Sequence, residues 1–177
     1  QYIVKIDEEL DDFDKKFIEK NDKNSLFRRN LKEFKWIIKH PWILNNEKSN
    51  KRYFFSSIAK IFRYKKNKIY NKENETIEAI IILKQKNDAF NVCYFFSNNE
   101  FEAKALKICL LEVLKSKPNH ISIFDKKSIK IYEDSILSYF ARSKIFERNI
   151  IISTPLFNDV FKENKIIHGG DADNIFT

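Results

Sequence analysis

The sequence predicts an α+β domain with one mixed sheet and with helices on both faces of that sheet. Strand-like runs follow one another closely at residues 53–64, 75–86 and 89–96, and links this short force neighbouring strands to pair antiparallel. From residue 87 to residue 117 the hydrophobic period then changes from that of a buried strand to that of a helix. Another apolar run, at residues 120–124, follows the helix, so we expect it to lie parallel to the preceding strand. The pattern is an antiparallel meander followed by a β-α-β parallel crossover.

The length and composition of the chain are those of a folded globular domain. Its 177 residues include 43% hydrophobic residues and 17 Phe, which is enough to bury a core. Cys93 and Cys109 both lie within apolar patterns, so we expect inward-facing thiols and a reduced, cytoplasmic setting. No apolar run approaches the ~20 residues that cross a bilayer, and we expect no membrane partner. Because the chain starts at Gln1 and contains no Met, we expect an adjacent domain N-terminal to Gln1.

A formal net charge of +8 can attract nucleic acid or another anionic partner. The basic residues are interspersed with Glu and Asp instead of lining one stripe, and no recognised nucleic-acid module accompanies them. A nucleic-acid-binding module is therefore the weakest of the functions that the sequence allows.

Helices are expected before the meander and after the crossover. Residues 7–21 form an acidic pattern with a narrow apolar stripe. A second helix starts near residue 26, where Asn24 or Ser25 can cap it, and ends before Pro41. The elements predicted after the crossover are a helix at residues 126–146 and a strand at residues 148–154.

The order of these elements and two end motifs resemble the GNAT acyltransferase superfamily. The segment FRRNLKEFKWIIKHPWI is similar to the helix R-N-x-x-x-x-x-W-x-x-x-x-P of GNAT domains that often occur in tandem. The closing GGDADNIFT resembles the Gly-Asp-Gly-Asp terminus of such chains, with Ala172 in place of a glycine. The resemblance covers residues 26–177 and implies the C-terminal unit of a tandem protein. The segments are then an N-terminal helical extension or linker (1–24), a GNAT-like domain (25–157) and a C-terminal tail with the GGDAD turn (158–177).

The resemblance implies a cofactor and its site. In GNAT enzymes the strand that corresponds to residues 89–96 pairs its backbone with the pantetheine arm of acyl-CoA, and the next turn wraps the pyrophosphate with backbone N–H groups. Acetyl-CoA or another acyl-CoA is thus the implied cofactor, and a small-molecule or peptide amine is the implied acceptor. The implied cofactor-binding residues are Phe95, Phe96, Ser97, Asn98, Asn99 and Lys104.

A proton donor and a base are implied as well. Many GNAT enzymes protonate the leaving thiolate with a helix tyrosine; Tyr139 lies two residues from the matching position, which Ala141 occupies. Glu78 lies near the central strand pair, where these enzymes often place a carboxylate that deprotonates the amine. The alternatives are a half-buried aromatic side chain for Tyr139 and a solvent-facing strand charge for Glu78.

The strand-to-helix turn departs from the family pattern, and a second function follows from the departure. SNNEFEAKA has no glycine and carries Glu100 and Glu102 where a diphosphate would lie, so that like charges oppose binding. Lys104 and Lys107 offset part of this repulsion. The alternative to an N-acyltransferase is a catalytically inactive GNAT-fold domain with a structural or binding role.

The tail also has donor atoms for a hard cation. His168, Asp171 and Asp173 surround Gly169 and Gly170 at loop spacing. A plain turn or tail is the alternative, and we expect no metal.

Overall fold

The computed structural model of the chain describes residues 2–6, 9–22, 25, 28–40, 44–45, 58–139, 143–144 and 166–170. Within these residues the elements are, in chain order, β1 (Tyr2–Ile6), α1 (Asp12–Asn21), α2 (Leu31–Lys39), β2 (Leu44–Asn45), β3 (Ile58–Ala59), β4 (Phe62–Asn71), β5 (Ile77–Lys86), β6 (Ala89–Ser97), α3 (Glu102–Leu114), β7 (His120–Ser122) and α4 (Lys126–Glu133). Short 3₁₀ turns, Asn99–Phe101 and Ile136–Tyr139, precede α3 and follow α4.

A five-stranded mixed sheet forms the centre of the fold, in the order β1-β4-β5-β6-β7. The strands β4, β5 and β6 pair antiparallel, as the short links predict. The strand β7 pairs parallel with β6, because α3 carries the chain back across the sheet between them. The predicted mixed sheet is therefore confirmed.

Helices cover both faces of this sheet. On one face, Ala105 and Cys109 of α3 share a buried cluster with Ile81 of β5. On the other face, Phe34 of α2 shares a buried cluster with Ile80 of the same strand. Neighbouring residues of β5 thus point into opposite halves of the core, which explains its continuous apolar run.

The N-terminal segment differs from the sequence prediction. β1 is an edge strand that pairs antiparallel with β4, whereas the sequence pattern predicts no strand before the helix at residues 7–21. The helix α1 begins at Asp12 because Asp11 caps it: the Asp11 carboxylate accepts from the N–H of Asp14, and the Asp14 carboxylate accepts from the N–H of Asp11. The capping box sets the start of the helix at Asp12, although the apolar stripe in the sequence begins several residues earlier.

The start of α2 was also predicted too early. Asn30, and neither Asn24 nor Ser25, is the N-cap, since its side chain accepts from the N–H of Glu33 while the Glu33 carboxylate accepts from its backbone. The end of the helix is as predicted: α2 stops at Lys39, and the C-cap is His40 before Pro41.

The strand β4 extends through the segment predicted to be a link. It runs to Asn71 instead of ending at residue 64, and it buries Asn67, Lys68 and Ile69. Lys68 occupies an interior position because its ammonium lies 2.7 Å from the buried carboxylate of Asp14. An ion pair with a residue distant in sequence therefore explains why a lysine can be buried in this strand.

The predicted helix after the crossover is shorter in the structure. The helix α4 covers Lys126–Glu133, and the 3₁₀ turn Ile136–Tyr139 follows it. The rest of the predicted helix beyond residue 139, apart from 143–144, and all of strand 148–154 lie outside the described residues. Every helix within the described part of the chain is too short or too polar to span a membrane.

Replacing Asp11 by alanine is expected to lower the free energy of unfolding by about 1 kcal/mol at neutral pH, the usual value of an N-cap. Burial acts to raise the pKa of the Asp11 carboxyl, but hydrogen bonds from the backbone of Asp14 and Phe13 and the nearby Lys68 ammonium hold that pKa below its ordinary value of 3.8. A lowered folded-state pKa stabilises the protein above the unfolded-state pKa, and this gain disappears as the pH falls through the folded-state pKa.

Urea unfolding of the wild type and of Asp11→Ala at neutral and at strongly acidic pH measures this effect. The difference between the two proteins should shrink in acid. A difference that stays constant would show that the charge of Asp11 does not contribute.

Candidate ligand-binding site at the end of strand β6

The strands β6 and β7 part soon after they pair. Their parallel register covers only Ala89 with His120, Phe90 with Ile121 and Asn91 with Ser122. Beyond Asn91 the strand β6 continues to Ser97 while its other edge stays paired with β5. The paired register between β5 and β6 also shifts by one residue, so that Cys93 is an extra residue between Val92 and Tyr94. The edge of β6 that faces β7 is therefore no longer paired with β7 beyond Asn91, next to a bulge at Cys93.

A cavity of about 330 Å³ lies at this opening. Its walls come from the second half of β6, the turn before α3, the start of α4, the end of α1 and the residues around position 168. The residues of β6 and of the following turn that line it are Val92, Cys93, Phe95, Ser97, Asn99 and Glu102. The opening between the two strands is thus a concave site.

Two carboxylates at the mouth of the cavity have partners. The carboxylate of Glu102, in the first turn of α3, forms an ion pair with the ammonium of Lys127 at the start of α4. The carboxylate of Asp125 caps α4 by accepting from the N–H of Ser128 at 2.9 Å. Glu102 therefore repels an anion less than its position in the sequence suggests.

The structure brings part of the predicted cofactor set together. Phe95, Ser97 and Asn99 line the cavity. Phe96 points to the opposite face of the sheet, where its ring lies 5.8 Å from that of Phe34. The two remaining residues face other partners: the Asn98 side-chain amide donates to Glu78 at 2.8 Å, and the Lys104 ammonium lies 4.1 Å from the centre of the Tyr2 ring.

The two predicted catalytic residues lie outside this cavity. Tyr139 ends the 3₁₀ turn after α4, and it is 87% exposed. Glu78 accepts from Asn98 and lies beside Thr76 at the start of β5. Neither residue is among the described residues that line the cavity, and their catalytic roles remain predictions.

A buried polar cluster that the sequence analysis missed forms one wall. Ser25 Oγ donates to Asp22 Oδ1 and lies 2.6 Å from His168 Nε2, which in turn lies 3.5 Å from Asp22 Oδ1. Since the serine hydroxyl has one proton and gives it to Asp22, its oxygen accepts from the Nε2–H of His168. In a Ser-His-Asp triad the carboxylate contacts the other ring nitrogen. The cluster therefore joins the end of α1, Ser25 and the C-terminal region instead of forming a triad.

The two glycines of the chain lie against β6. The N–H of Gly170 donates to the carbonyl oxygen of Cys93 at 3.0 Å. A Cβ atom at Gly169 would lie 2.6 Å from the carbonyl oxygen of Val92, and one at Gly170 would lie 2.3 Å from the ring of Tyr94. These close approaches explain why glycine occurs at both positions. The chain has only these two glycines, and this was the one feature of the sequence that could have indicated a close contact here.

The cation site suggested by the sequence falls mostly outside the described residues. Asp171 and Asp173 lie outside them, and His168 bonds to Ser25. The described part of the chain contains no group of three His, Cys, Asp or Glu side chains placed to hold a metal ion.

The two cysteines differ in their surroundings. Cys93 is buried but forms part of the cavity wall, whereas Cys109 lies on the buried face of α3, in the core between this helix and the sheet. Burial raises the pKa of the Cys109 thiol to about 12, which leaves almost no thiolate at neutral pH. Both cysteines are free thiols.

Comparisons with protein-family models, with curated proteins and with solved structures return no match.

Proposed function

We propose that this chain is a GNAT-type domain that binds acyl-CoA in the opening between β6 and β7 and transfers the acyl group to an amine. The observation that carries the proposal is the parting of these parallel strands after Asn91, beside a bulge and directly before a strand-to-helix turn. An extended ligand can then lie along β6 where a neighbouring strand would otherwise pair.

The dimensions of the opening suit the pantetheine arm. A cavity of about 330 Å³ is too small for a whole CoA molecule but matches a narrow chain with amide groups. The edge of β6 beyond residue 91 offers backbone groups to such amides. The nucleotide would remain outside, near the turn that leads into α3.

The pairing of Glu102 also supports the proposal. Two carboxylates at the turn, Glu100 and Glu102, argue against a diphosphate there, but Lys127 neutralises Glu102. The N-terminal end of the 13-residue helix α3 adds a favourable dipole. Two carboxylates then remain against the cofactor: the exposed Glu100 and Asp125, which lines the cavity.

Acyl transfer to an amine moves two protons. The attacking nitrogen loses one proton as it bonds to the thioester carbon, and the departing CoA thiolate gains one. The resemblance assigns these steps to Glu78 and Tyr139, which lie outside the cavity in this conformation. The role of Glu78 therefore requires that the acceptor amine binds on the Glu78 side of the turn.

The second candidate is a GNAT-type domain without catalysis. It is favoured by the exposed position of Tyr139 and by the bond from Gly170 to the Cys93 carbonyl, a group that a pantetheine arm would use. Under both candidates we expect a cytoplasmic protein, because Cys93 and Cys109 are free thiols.

Thermal unfolding in the presence of CoA and of acetyl-CoA tests the proposal. A ligand at about 100 times its dissociation constant stabilises the folded state by about 2.7 kcal/mol, so the midpoint should rise by several degrees. Adenosine 3′,5′-bisphosphate and pantetheine, tested separately, report which half of the cofactor binds. An unfolding midpoint that does not move at millimolar CoA would contradict both the proposed binding of acyl-CoA and the proposed acyltransferase activity.

The two candidates are separated by thiol release. With acetyl-CoA and a diamine or a lysine-containing peptide, the enzyme should release free CoA faster than the uncatalysed reaction does. Binding of CoA without thiol release for any amine tried would favour the non-catalytic domain.

A further inference from the structure

Residues 166–170, which we term the C-terminal strap, lie in the same opening as the proposed cofactor. Gly169 is placed between Val92 of β6 and Phe124, which follows β7. Gly170 donates its N–H to the Cys93 carbonyl at 3.0 Å. Beyond Asn91, where β7 no longer pairs with β6, the strap contacts the backbone of β6 instead.

The strap is held from a second side by the polar cluster. Ile166 forms a parallel bridge with Ser25, and the His168 ring bonds to the Ser25 hydroxyl. The same ring lies 5.4 Å from that of Tyr94 and 5.5 Å from that of Phe96. Contacts to β6 and to the end of α1 together fix its position.

Positions 169 and 170 of the strap have room only for glycine. A Cβ atom at Gly170 would lie 2.3 Å from the Tyr94 ring, closer than atoms can approach. Neither glycine has a positive φ, so a larger residue would be excluded by contact with β6 and not by its own backbone conformation.

We infer that the C-terminal strap is an intramolecular occupant of the acyl-CoA opening, which the pantetheine arm must displace from the Cys93 carbonyl in order to bind. The inference rests on the proposed function and adds a regulatory contact to it. If the strap is displaced in only about a tenth of the molecules, the apparent affinity for CoA is about tenfold weaker than that of the open site.

Two measurements on the full chain test the strap. The first is the alkylation rate of Cys93 with iodoacetamide, followed by peptide mass spectrometry. Cys109 in the same samples reports global unfolding, because this thiol reacts only when the core opens. The second is the dissociation constant of CoA by calorimetry.

Gly170→Val is the principal variant, because its side chain collides with Tyr94. Ser25→Ala is a second variant, which removes the hydroxyl between His168 and Asp22 and leaves β6 unchanged. Ser116→Val is the control, since it places the same side chain in an exposed turn after α3, at the far end of that helix from Glu102.

Both strap variants should label Cys93 at least about tenfold faster than the wild type and bind CoA about tenfold more tightly, with Cys109 unlabelled and the control unchanged. An unchanged Cys93 rate in folded variants overturns the strap and leaves the proposed function standing. If Cys93 is labelled faster but CoA binds with a measurable and unchanged affinity, the strap covers Cys93 but does not compete with the pantetheine arm, and the inference is overturned while the proposed function stands. Faster labelling with no CoA binding in any variant overturns the inference together with the proposed function.

Discussion

Replacing Lys68 by methionine is expected to lower the free energy of unfolding by about 3–5 kcal/mol, the usual cost of leaving one partner of a buried ion pair alone. Lys68 is 1% exposed and lies 2.7 Å from the carboxylate of Asp14, which is fully buried. Its ammonium also donates to the backbone oxygen of Glu9 at 2.8 Å. These bonds attach the start of α1 to β4, so their loss removes a polar link that adds to the apolar contact of Ile18 with the sheet.

Lys15→Met is the matched control for this prediction. The same substitution there removes an exposed ion pair with Glu19 on α1, at a distance of 4.0 Å, and should change the stability by less than about 1 kcal/mol. Urea unfolding gives both values. Removing both charges, with Lys68→Met and Asp14→Leu together, should recover part of the loss. A Lys68→Met protein as stable as the control would contradict the structural role of the pair.

Replacing Phe34 by alanine is expected to lower the free energy of unfolding by about 3–5 kcal/mol as well, the range for a buried phenylalanine. The Phe34 ring is almost fully buried and meets the rings of Tyr94 and Phe96 edge-on, at 4.9 and 5.8 Å. Those two rings contact His168 on the strap. The space left by alanine therefore removes packing contacts of Tyr94 and Phe96 in β6 and, through these two rings, loosens the packing of His168 in the strap.

Phe34→Leu and Phe13→Ala are the controls for this second prediction. Phe34→Leu keeps most of the side-chain volume and should lower the free energy of unfolding by less than about 1.5 kcal/mol. Phe13 is 75% exposed, so Phe13→Ala should change the free energy of unfolding by no more than about 0.5 kcal/mol. Urea unfolding and the alkylation rate of Cys93 should both respond to Phe34→Ala. Equal losses for Phe34→Ala and Phe13→Ala would contradict this packing.

The parts of the fold that sequence analysis predicts well are those set by neighbouring residues. The apolar runs of β5 and β6 are continuous, and the links around them are too short for anything but antiparallel pairing. The change of period after Ser97 likewise marks the start of a helix in the local pattern. The mixed sheet therefore follows from residues 75–124 alone.

The elements that were missed depend on distant partners. The second half of β4 is polar in sequence, and its Lys68 is buried because Asp14 meets it from another element. The strand β1 is short, and it forms only because the edge of β4 is there to pair with it. No local pattern contains this information.

The same distinction holds at the site. Phe95, Ser97 and Asn99 follow from their place in a strand-to-helix turn, whereas Ser25 and His168 are 143 positions apart in sequence and meet only in the fold. Lys104 was assigned to the cofactor from its position on the helix, yet its ammonium lies over the ring of Tyr2 on the neighbouring edge strand. Tertiary contacts of this kind decide which polar groups face the cavity.

Backbone amide NMR spectra recorded during a titration with CoA test the proposed site most directly. We predict that the largest chemical-shift changes fall on residues 92–102 of β6 and the following turn, on the start of α4 and on the strap, while β1 remains unchanged. Amides that do not shift at millimolar CoA, or that shift only outside these segments, would contradict the assignment of the opening between β6 and β7 as an acyl-CoA site.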